Sequence, residues 1–483
     1  SPPPRRKGAQ HDPRKGLRAL SAQPIAHGHW SSRFTFLLAT IGLSVGLGNI
    51  WRFPYLAGAN GGGAFVLIYL ACVAFIALPI IMAELLIGRR GGLTPAATFA
   101  RLARAEGRSP IWAIGGFVAL AAVFLISSFY CVIGGWTFAY TALAAGGALD
   151  GLTPENAGRL FEGLLGSPRR LTFWMLLFLL ANVLIVIRGV QKGVERAASI
   201  LMPMLFVMIG GLCIYGLMVG DAEAGLNFLF RPDWSKVTAQ TFVAALGQAF
   251  FSVSVGMAAM ILYGAYLPRS VRIPETAAVI AFADTLVAIL AGIAIFPFVF
   301  ANGLEPSAGP GLMFITVPLA LQGVFSPSLV AFVFFALLAI AAVTSMMALF
   351  EVIAALGEEK GWPRQRTVWA TGGATAAAAM LTVLSFNRLS GVFPLGFVPG
   401  LARATFFDIF DWVSSNLLLT VAALASALFA GWVMRPSSTA DELQTPASHP
   451  GYRVWLFLIR WPVPATIAVL IAAALMGLGE TTA

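Results

Sequence analysis

Serine, valine and glycine interrupt two apolar stretches of this 483-residue chain in the same order, Ser44-Val45-Gly46 and Ser254-Val255-Gly256. Hydroxyls, carbonyls and bare glycine backbone suit binding rather than bond breaking. The first interruption lies in FTFLLATIGLSVGLGNIWRFPYLAG from Phe34, the second in FVAALGQAFFSVSVGMAAMILYGAYL from Phe242. Glycine weakens a helix by about 1 kcal/mol relative to alanine, so Gly42, Gly46 and Gly48 work against continuous helix. In a bilayer, unwound backbone persists only where protein or a ligand satisfies it. A half-helix N-terminus then offers N–H groups to an anion, and a half-helix C-terminus offers carbonyls to a cation. A carboxylate and Na⁺ can sit there side by side, each lowering the other's desolvation cost. The Gly42-xxx-Gly46 spacing also suits close helix packing. That explains one stretch, whereas two matched breaks point to a binding site between repeats.

The elements that must position these breaks are membrane spans. Apolar residues make up 58% of the chain and charged ones 11%, against about half and a quarter in soluble domains. Stretches near the roughly 20 apolar residues of one span occur around 34–58, 64–88, 110–145, 171–187, 197–219, 241–266, 276–300, 327–357, 367–385, 406–433 and 453–477. The expected fold is an all-α membrane protein of about eleven transmembrane helices, broken at the first and sixth. An offset of five reverses direction through the membrane. Segments of about 34–219 and 241–433 are therefore expected to form a 5+5 inverted-topology repeat, with both breaks near the midplane. Within a 34–433 core, 453–477 adds a peripheral eleventh helix. Residues 1–33 form a basic, Pro-rich tail expected to be mostly disordered. With the N-terminus inside, inner segments carry 22 Lys and Arg and outer loops seven. That excess predicts an N-in, C-out protein of the plasma (inner) membrane. The net charge of +10 then belongs to topology and lipid contact, with no soluble basic domain for nucleic acid.

Few other residues carry chemistry. Ionisable groups inside spans are Arg52, Glu84, Asp284, Glu351, Asp408, Asp411 and Arg460, and such groups are functional candidates. Glu84 and Glu351 read equally well as buried structural acids. Asp284, a third of the way into its span, needs a cation or donor. Cys72, Cys131 and Cys213 lie in apolar stretches, so no disulfide framework is expected. The four histidines lie in polar segments, which leaves no intramembrane His-based metal or catalytic centre.

IGLSVGLGNIWRFPYLAGANGGGAF, then Glu84 and RRGG, resembles the first-span signature of the neurotransmitter:sodium symporters. RGVQKGVERAASILMP at 188–203, GQAFFSVSVG at 247–256 and AAVTSMMALFE at 341–351 are similar to the same family. The likeness is to its bacterial amino-acid transporters, the leucine and multi-hydrophobic amino-acid transporters among them, and covers ten spans. It implies a leucine-transporter-like fold and two Na⁺ ions. The first ion is expected at the Ser44 carbonyl, the Asn49 side-chain oxygen, Ser252, Asp284 and the substrate carboxylate. The second is expected at the carbonyls of Gly42, Val45 and Ala341 and the hydroxyls of Thr344 and Ser345.

The resemblance also places the substrate carboxylate at the amides of Leu47 and Gly48 and the hydroxyl of Tyr130. Amine-transporting relatives carry an aspartate where this chain has Gly46, so the substrate is expected to bring its own carboxylate. Ile126, Phe251, Ser254, Met257, Ser345 and Leu349 would surround its side chain, with Ser44 and Ser252 also touching the substrate, which favours a hydrophobic L-amino acid. Methionine adapts to differing shapes. Tyr69, Gln248 and Ser252 match the chloride site of chloride-dependent members, but Ala288 stands where their last serine falls. Asp284 would supply the balancing negative charge, so transport without Cl⁻ is expected. Arg52 would gate the outer side with Asp411, or with Asp408 one turn earlier, above a lid of Phe251 and Tyr130. On the inner side Trp30 and Glu359 match closing residues. His27 stands where the family usually has arginine, so His27 or Arg33 would partner Glu359.

Two further readings stay open: proton-coupled or mixed H⁺/Na⁺ amino-acid transport through Asp284 or Glu84, and a non-transporting sensor. The sensor is disfavoured because every expected ion ligand keeps an oxygen. A membrane-embedded enzyme lacks a nucleophile–base pair, and no obligatory protein partner is implied.

Overall fold

A computed structural model describes residues 30–304, 311–398 and 400–476. The basic tail through residue 29, including His27, lies outside the described residues. The first stretch opens at α1 (Arg33–Ser44), where Ser32 and Thr35 form a reciprocal capping box, the arrangement that satisfies a helix's first orphan N–H groups. Helix stops at Val45 and resumes as a π turn, Gly48–Arg52, running into α2 (Phe53–Ala59). The two halves are bent by 52°.

The chain continues through α3 (Gly63–Gly91), a short elbow α4 (Pro95–Ala105), and α5 (Pro110–Ala145). At 1.5 Å per residue α5 is about 54 Å long, well beyond a hydrocarbon core of about 30 Å, so it runs past the bilayer. A shorter helix α6 (Pro154–Leu165) leads to α7 (Pro168–Val186) and α8 (Val190–Val219). The short α9 (Ala222–Phe230) precedes the second broken stretch. That stretch is α10 (Ala239–Ser252), six non-helical residues, and α11 (Ala259–Ala265). Then come α12 (Ile273–Ala301), the short α13 (Val317–Ala320), α14 (Pro327–Glu359), α15 (Arg364–Ser385), α16 (Phe406–Val433), the short α17 (Pro436–Leu443) and α18 (Pro450–Leu475).

Among the described residues nine helices are long and apolar enough to span, and the bent α1–α2 pair makes ten. The eleventh expected span is α10–α11, split into 14- and 7-residue pieces, each too short to cross alone. The second break is held open by three positive φ angles, at Ser254 (58°), Gly256 (79°) and Ala258 (60°). Only glycine takes such angles without cost. Ser254 and Ala258 take them under strain, the kind that clusters at ligand clamps. α14 is the most buried span and α18 the least, which places α18 at the periphery, packed on α16.

Glycine also sets how α3 and α11 meet. A Cβ on Gly88 would run into the Ile261 carbonyl, and one on Gly264 would lie 2.6 Å from the Leu85 oxygen. Backbone touches backbone, so the two helices behave as one body.

Candidate functional site

The two breaks face each other. Ser254 Oγ donates to the Leu43 carbonyl at 3.3 Å, and Gln248 Nε2 donates to the Gly48 carbonyl at 2.9 Å. Glu84 supports the second break from α3: its Oε1 accepts from the Gly256 amide at 3.0 Å and from Ser426 Oγ at 3.2 Å. One carboxylate thus joins α3, the unwound backbone and α16.

A narrow cavity lies at the crossing. It is lined by Leu43, Ser44, Gly46, Leu47, Gly48, Ile126, Tyr130, Phe251, Ser254, Met257, Ser345 and Leu349. Eleven of the twelve residues singled out for substrate contact in the sequence are on that wall. Ser252 is not; it turns to the neighbouring polar cluster. Leu43 was missed, because it sits in the last turn of α1 where periodicity alone gives no inward direction.

Polar groups occupy one end of the cavity. The Leu47 amide donates to Tyr130 OH at 3.4 Å. A Cβ on Gly46 would lie 2.6 Å from Ser345 Oγ and 3.2 Å from Tyr130 OH, so only hydrogen fits. Leu43, Ile126, Met257 and Leu349 are apolar and buried. Half-buried Phe251 borders the cavity with the Arg52 guanidinium 5.1 Å from its ring centroid, inside cation–π range.

Two clusters of oxygen flank the cavity. In the first, Asn49 Nδ2 lies 2.8 Å from Ser252 Oγ, 2.8 Å from Asp284 Oδ1 and 3.0 Å from the Asp284 carbonyl. Ser252 Oγ donates to Asp284 Oδ2 at 2.6 Å, and Tyr69 OH to Ser252 Oγ at 3.2 Å. The expected ligand atom was the Asn49 oxygen, yet Oδ1 here accepts the Gly46 amide at 3.0 Å while the NH₂ faces Asp284. A carboxylate attracts a donor, which explains the orientation. A cation at that point requires the amide turned over, since only Oδ1 has lone pairs to give. In the second cluster, Ser345 Oγ lies 3.4, 3.3 and 3.4 Å from the carbonyls of Gly42, Leu43 and Val45. Thr344 Oγ1 lies 3.0 Å from the Ala341 carbonyl. Hydroxyls and carbonyls are what a hard cation requires.

The gate residues divide. Asp411 Oδ1 accepts Ser415 Oγ at 2.8 Å, on the first helical turns of α16. Asp408 caps its own helix, accepting the Thr405 amide and hydroxyl at 2.8 Å each. Trp30 is buried, its ring 5.1 Å from Tyr263, 5.7 Å from Phe36 and 6.4 Å from Tyr266. Glu359 accepts the Thr94 amide at 2.9 Å, at the start of α4. Arg33 pairs with Glu275 at 3.8 Å instead of Glu359. The N-terminal segment is held by Ser31, whose amide donates to Glu195 Oε2 at 3.2 Å and whose hydroxyl also reaches that carboxylate. Glu351 pairs with Arg364, which also binds Glu358 at 3.0 Å.

The sequence model described as "Sodium:neurotransmitter symporter family" matches residues 27–150 and 162–482. The chain belongs to that family. The symporter is 36% identical over 451 residues to an uncharacterized sodium-dependent transporter, YhdH, of Bacillus subtilis, covering 91% of this chain and 96% of the relative. A second sodium-dependent transporter, from Haemophilus influenzae, is 34% identical over 458 residues, with the same coverage. Among solved structures, MhsT in complex with L-phenylalanine superposes with a TM-score of 0.85 at 38% identity, covering 93% of this chain and all of that one. The symporter is therefore a multi-pass, sodium-dependent membrane transporter of the leucine-transporter fold.

Proposed function

We propose that this symporter couples Na⁺ entry to uptake of hydrophobic L-amino acids by alternating access, with two Na⁺ ions and no requirement for chloride. The observation that carries this reading is the cavity between the breaks. Its hydroxyl-and-amide end presents donors that suit a carboxylate and, at Gly46, leaves no space for a side chain. Its other walls are apolar, and MhsT, whose fold it shares, was solved with L-phenylalanine.

The Asn49–Ser252–Asp284 cluster would hold one ion, with the Ser44 carbonyl and the substrate carboxylate as further ligands. The carbonyls of Gly42, Val45 and Ala341, with Thr344 and Ser345, would hold the other. Each ion offsets the cost of desolvating the other charges. The membrane potential then adds about 2.3 kcal/mol per charge per 100 mV. Asp284 is the fixed negative charge that stands in for chloride. Arg52 with Asp411, over Phe251, would close the outer side, and Trp30, Tyr263, Tyr266 and Glu359 the inner. The excess of Lys and Arg on one set of loops supports a cytoplasmic N-terminus and an outer C-terminus.

The test is uptake of labelled L-phenylalanine, L-leucine and L-aspartate into proteoliposomes with a Na⁺ gradient, with and without chloride. Phenylalanine and leucine accumulate in both anions and aspartate does not. Uptake that stops when gluconate replaces chloride would overturn the chloride statement, and uptake driven equally by a K⁺ gradient would overturn the coupling.

A further inference from the structure

The connection between α16 and α18 reads as a polar loop in the sequence, yet it holds one of the most buried carboxylates of the chain. Glu442, at the end of α17, has a side chain only 1% exposed. Its Oε1 lies 2.5 Å from Arg89 Nε, and that guanidinium is itself 3% exposed. Oε2 lies 3.5 Å from Arg90 and 3.7 Å from Arg269. Arg89 also donates to the Glu442 carbonyl, and its Nη1 donates to the Val271 carbonyl at 2.6 Å. Gln444 donates to the Arg269 carbonyl. A single carboxylate thus gathers the last turn of α3 and the chain that leaves α11.

The other end of α17 is anchored elsewhere. Arg435 Nε lies 2.6 Å from Glu106 Oε2, and Ser438 Oγ donates to Glu106 Oε1 at 2.7 Å. Glu106 follows α4, the elbow that leads into α5. From behind, Tyr452 of α18 meets Thr439 at 2.7 Å and donates to the Pro436 carbonyl at 2.9 Å. The short helix therefore lies across the inner end of the molecule as a strap with two fixed points.

We propose that Glu442 is a positioning residue for the inner gate: through Arg89 and the 269–271 segment it holds α11 where Tyr263 and Tyr266 close on Trp30. The path is continuous. α11 cannot shift without α3, because their backbones touch at Gly88 and Gly264, and both ends of that pair terminate on Glu442. Inward opening requires the strap to yield or to travel with them. A buried ion pair resists partial loss, because a lone buried guanidinium costs far more than an intact pair. The contact is thus a two-state element rather than a graded one. This inference rests on the transport reading above and on its orientation.

The experiment uses the full-length protein in proteoliposomes carrying a Leu267→Cys reporter, buried one residue beyond the gate tyrosine, with the reporter-free protein as background for the native cysteines. Labelling by a water-soluble thiol reagent from the inner side is compared between Glu442 and E442Q backgrounds, in Na⁺ with phenylalanine and in K⁺. In E442Q the labelling rate in Na⁺ rises about fivefold or more, the scale on which single residues bias coupled equilibria. E442D restores the slow rate, and Arg269→Gln, which removes an exposed partner only, raises it less. Uptake falls in maximal rate more than in apparent affinity. An unchanged labelling rate in E442Q with a lowered melting temperature would show plain structural glue and overturn the proposal. So would a rise that E442D does not reverse. Should E442Q not fold, the Arg269→Gln rate decides alone, and a rate equal to the parent's would overturn the proposal. A parent protein indifferent to Na⁺ would count against the transport reading, while the ratio of E442Q to parent still decides the strap.

Discussion

Replacing Gly46 by alanine adds one carbon at the most crowded point of the cavity. That carbon would lie 2.6 Å from Ser345 Oγ and 3.2 Å from Tyr130 OH. Ser345 cannot step aside freely, since its hydroxyl donates to one of the Gly42, Leu43 and Val45 carbonyls, all within 3.3–3.4 Å. Overpacking a tight site costs about 1–3 kcal/mol, which at about 1.4 kcal/mol per decade is a loss of roughly 5- to 150-fold in affinity. Aspartate adds a like charge next to the substrate carboxylate, worth several kcal/mol more against binding. The assay is equilibrium binding of labelled L-phenylalanine to purified protein in saturating Na⁺, with melting temperature as the folding control. G46A weakens binding within the stated range, and G46D abolishes it while the protein stays folded. G46D that binds phenylalanine as well as G46A does would refute the placement of the carboxylate beside Gly46.

Other expectations follow from neighbouring contacts. Ser345→Ala removes a hydroxyl from the second oxygen cluster and, at about 1.5–3 kcal/mol for a ligand to a charged group, raises the Na⁺ needed for half-maximal phenylalanine binding about tenfold or more; an unchanged Na⁺ titration would move that ion elsewhere. Asp284→Asn removes the fixed charge beside Asn49, so uptake should become dependent on added chloride or be lost in its absence, and equal uptake with gluconate would show that Asp284 does not replace an anion. Glu106 supplies a pH test of the strap's second anchor. Burial raises its carboxyl, but hydrogen bonds from Arg435 and Ser438 and the guanidinium charge outweigh burial and hold it below the ordinary glutamate value. Its contribution to stability is therefore complete above that ordinary value and disappears as pH falls through the lower folded one. The melting-temperature gap between wild type and Glu106→Gln should shrink on acidification from about pH 6 to about pH 3, and a constant gap would contradict it.

The breaks were legible because glycine and serine in a long apolar run have few other uses, and they recur five spans apart. The cavity wall was legible through the likeness to known symporters, which composition and spacing cannot supply. What stayed hidden depends on three-dimensional partners. Leu43 turns inward only because α1 ends one residue later. The Asn49 amide is set by which neighbour, the Gly46 amide or Asp284, attracts which end. Asp408 reads as a possible gate, but its position three residues after Thr405 makes it a cap. The helices α4, α6, α9 and α17 escaped a count of apolar stretches because they are short and two-faced, lying along the surface instead of through it. Glu442 was hidden for the same reason: in a polar segment nothing in the sequence separates a buried acid from an exposed one.

The central claim is that two interrupted helices meet to hold an amino acid and Na⁺ together. Its most direct measurement is phenylalanine binding to the purified symporter with Na⁺ exchanged for K⁺ at constant ionic strength, in wild type and in Asn49→Ala. Wild-type protein should bind tightly in Na⁺ and weakly in K⁺, and Asn49→Ala should lose the difference while keeping its melting temperature. Equal affinity in both salts, or a full Na⁺ effect in Asn49→Ala, would contradict the account.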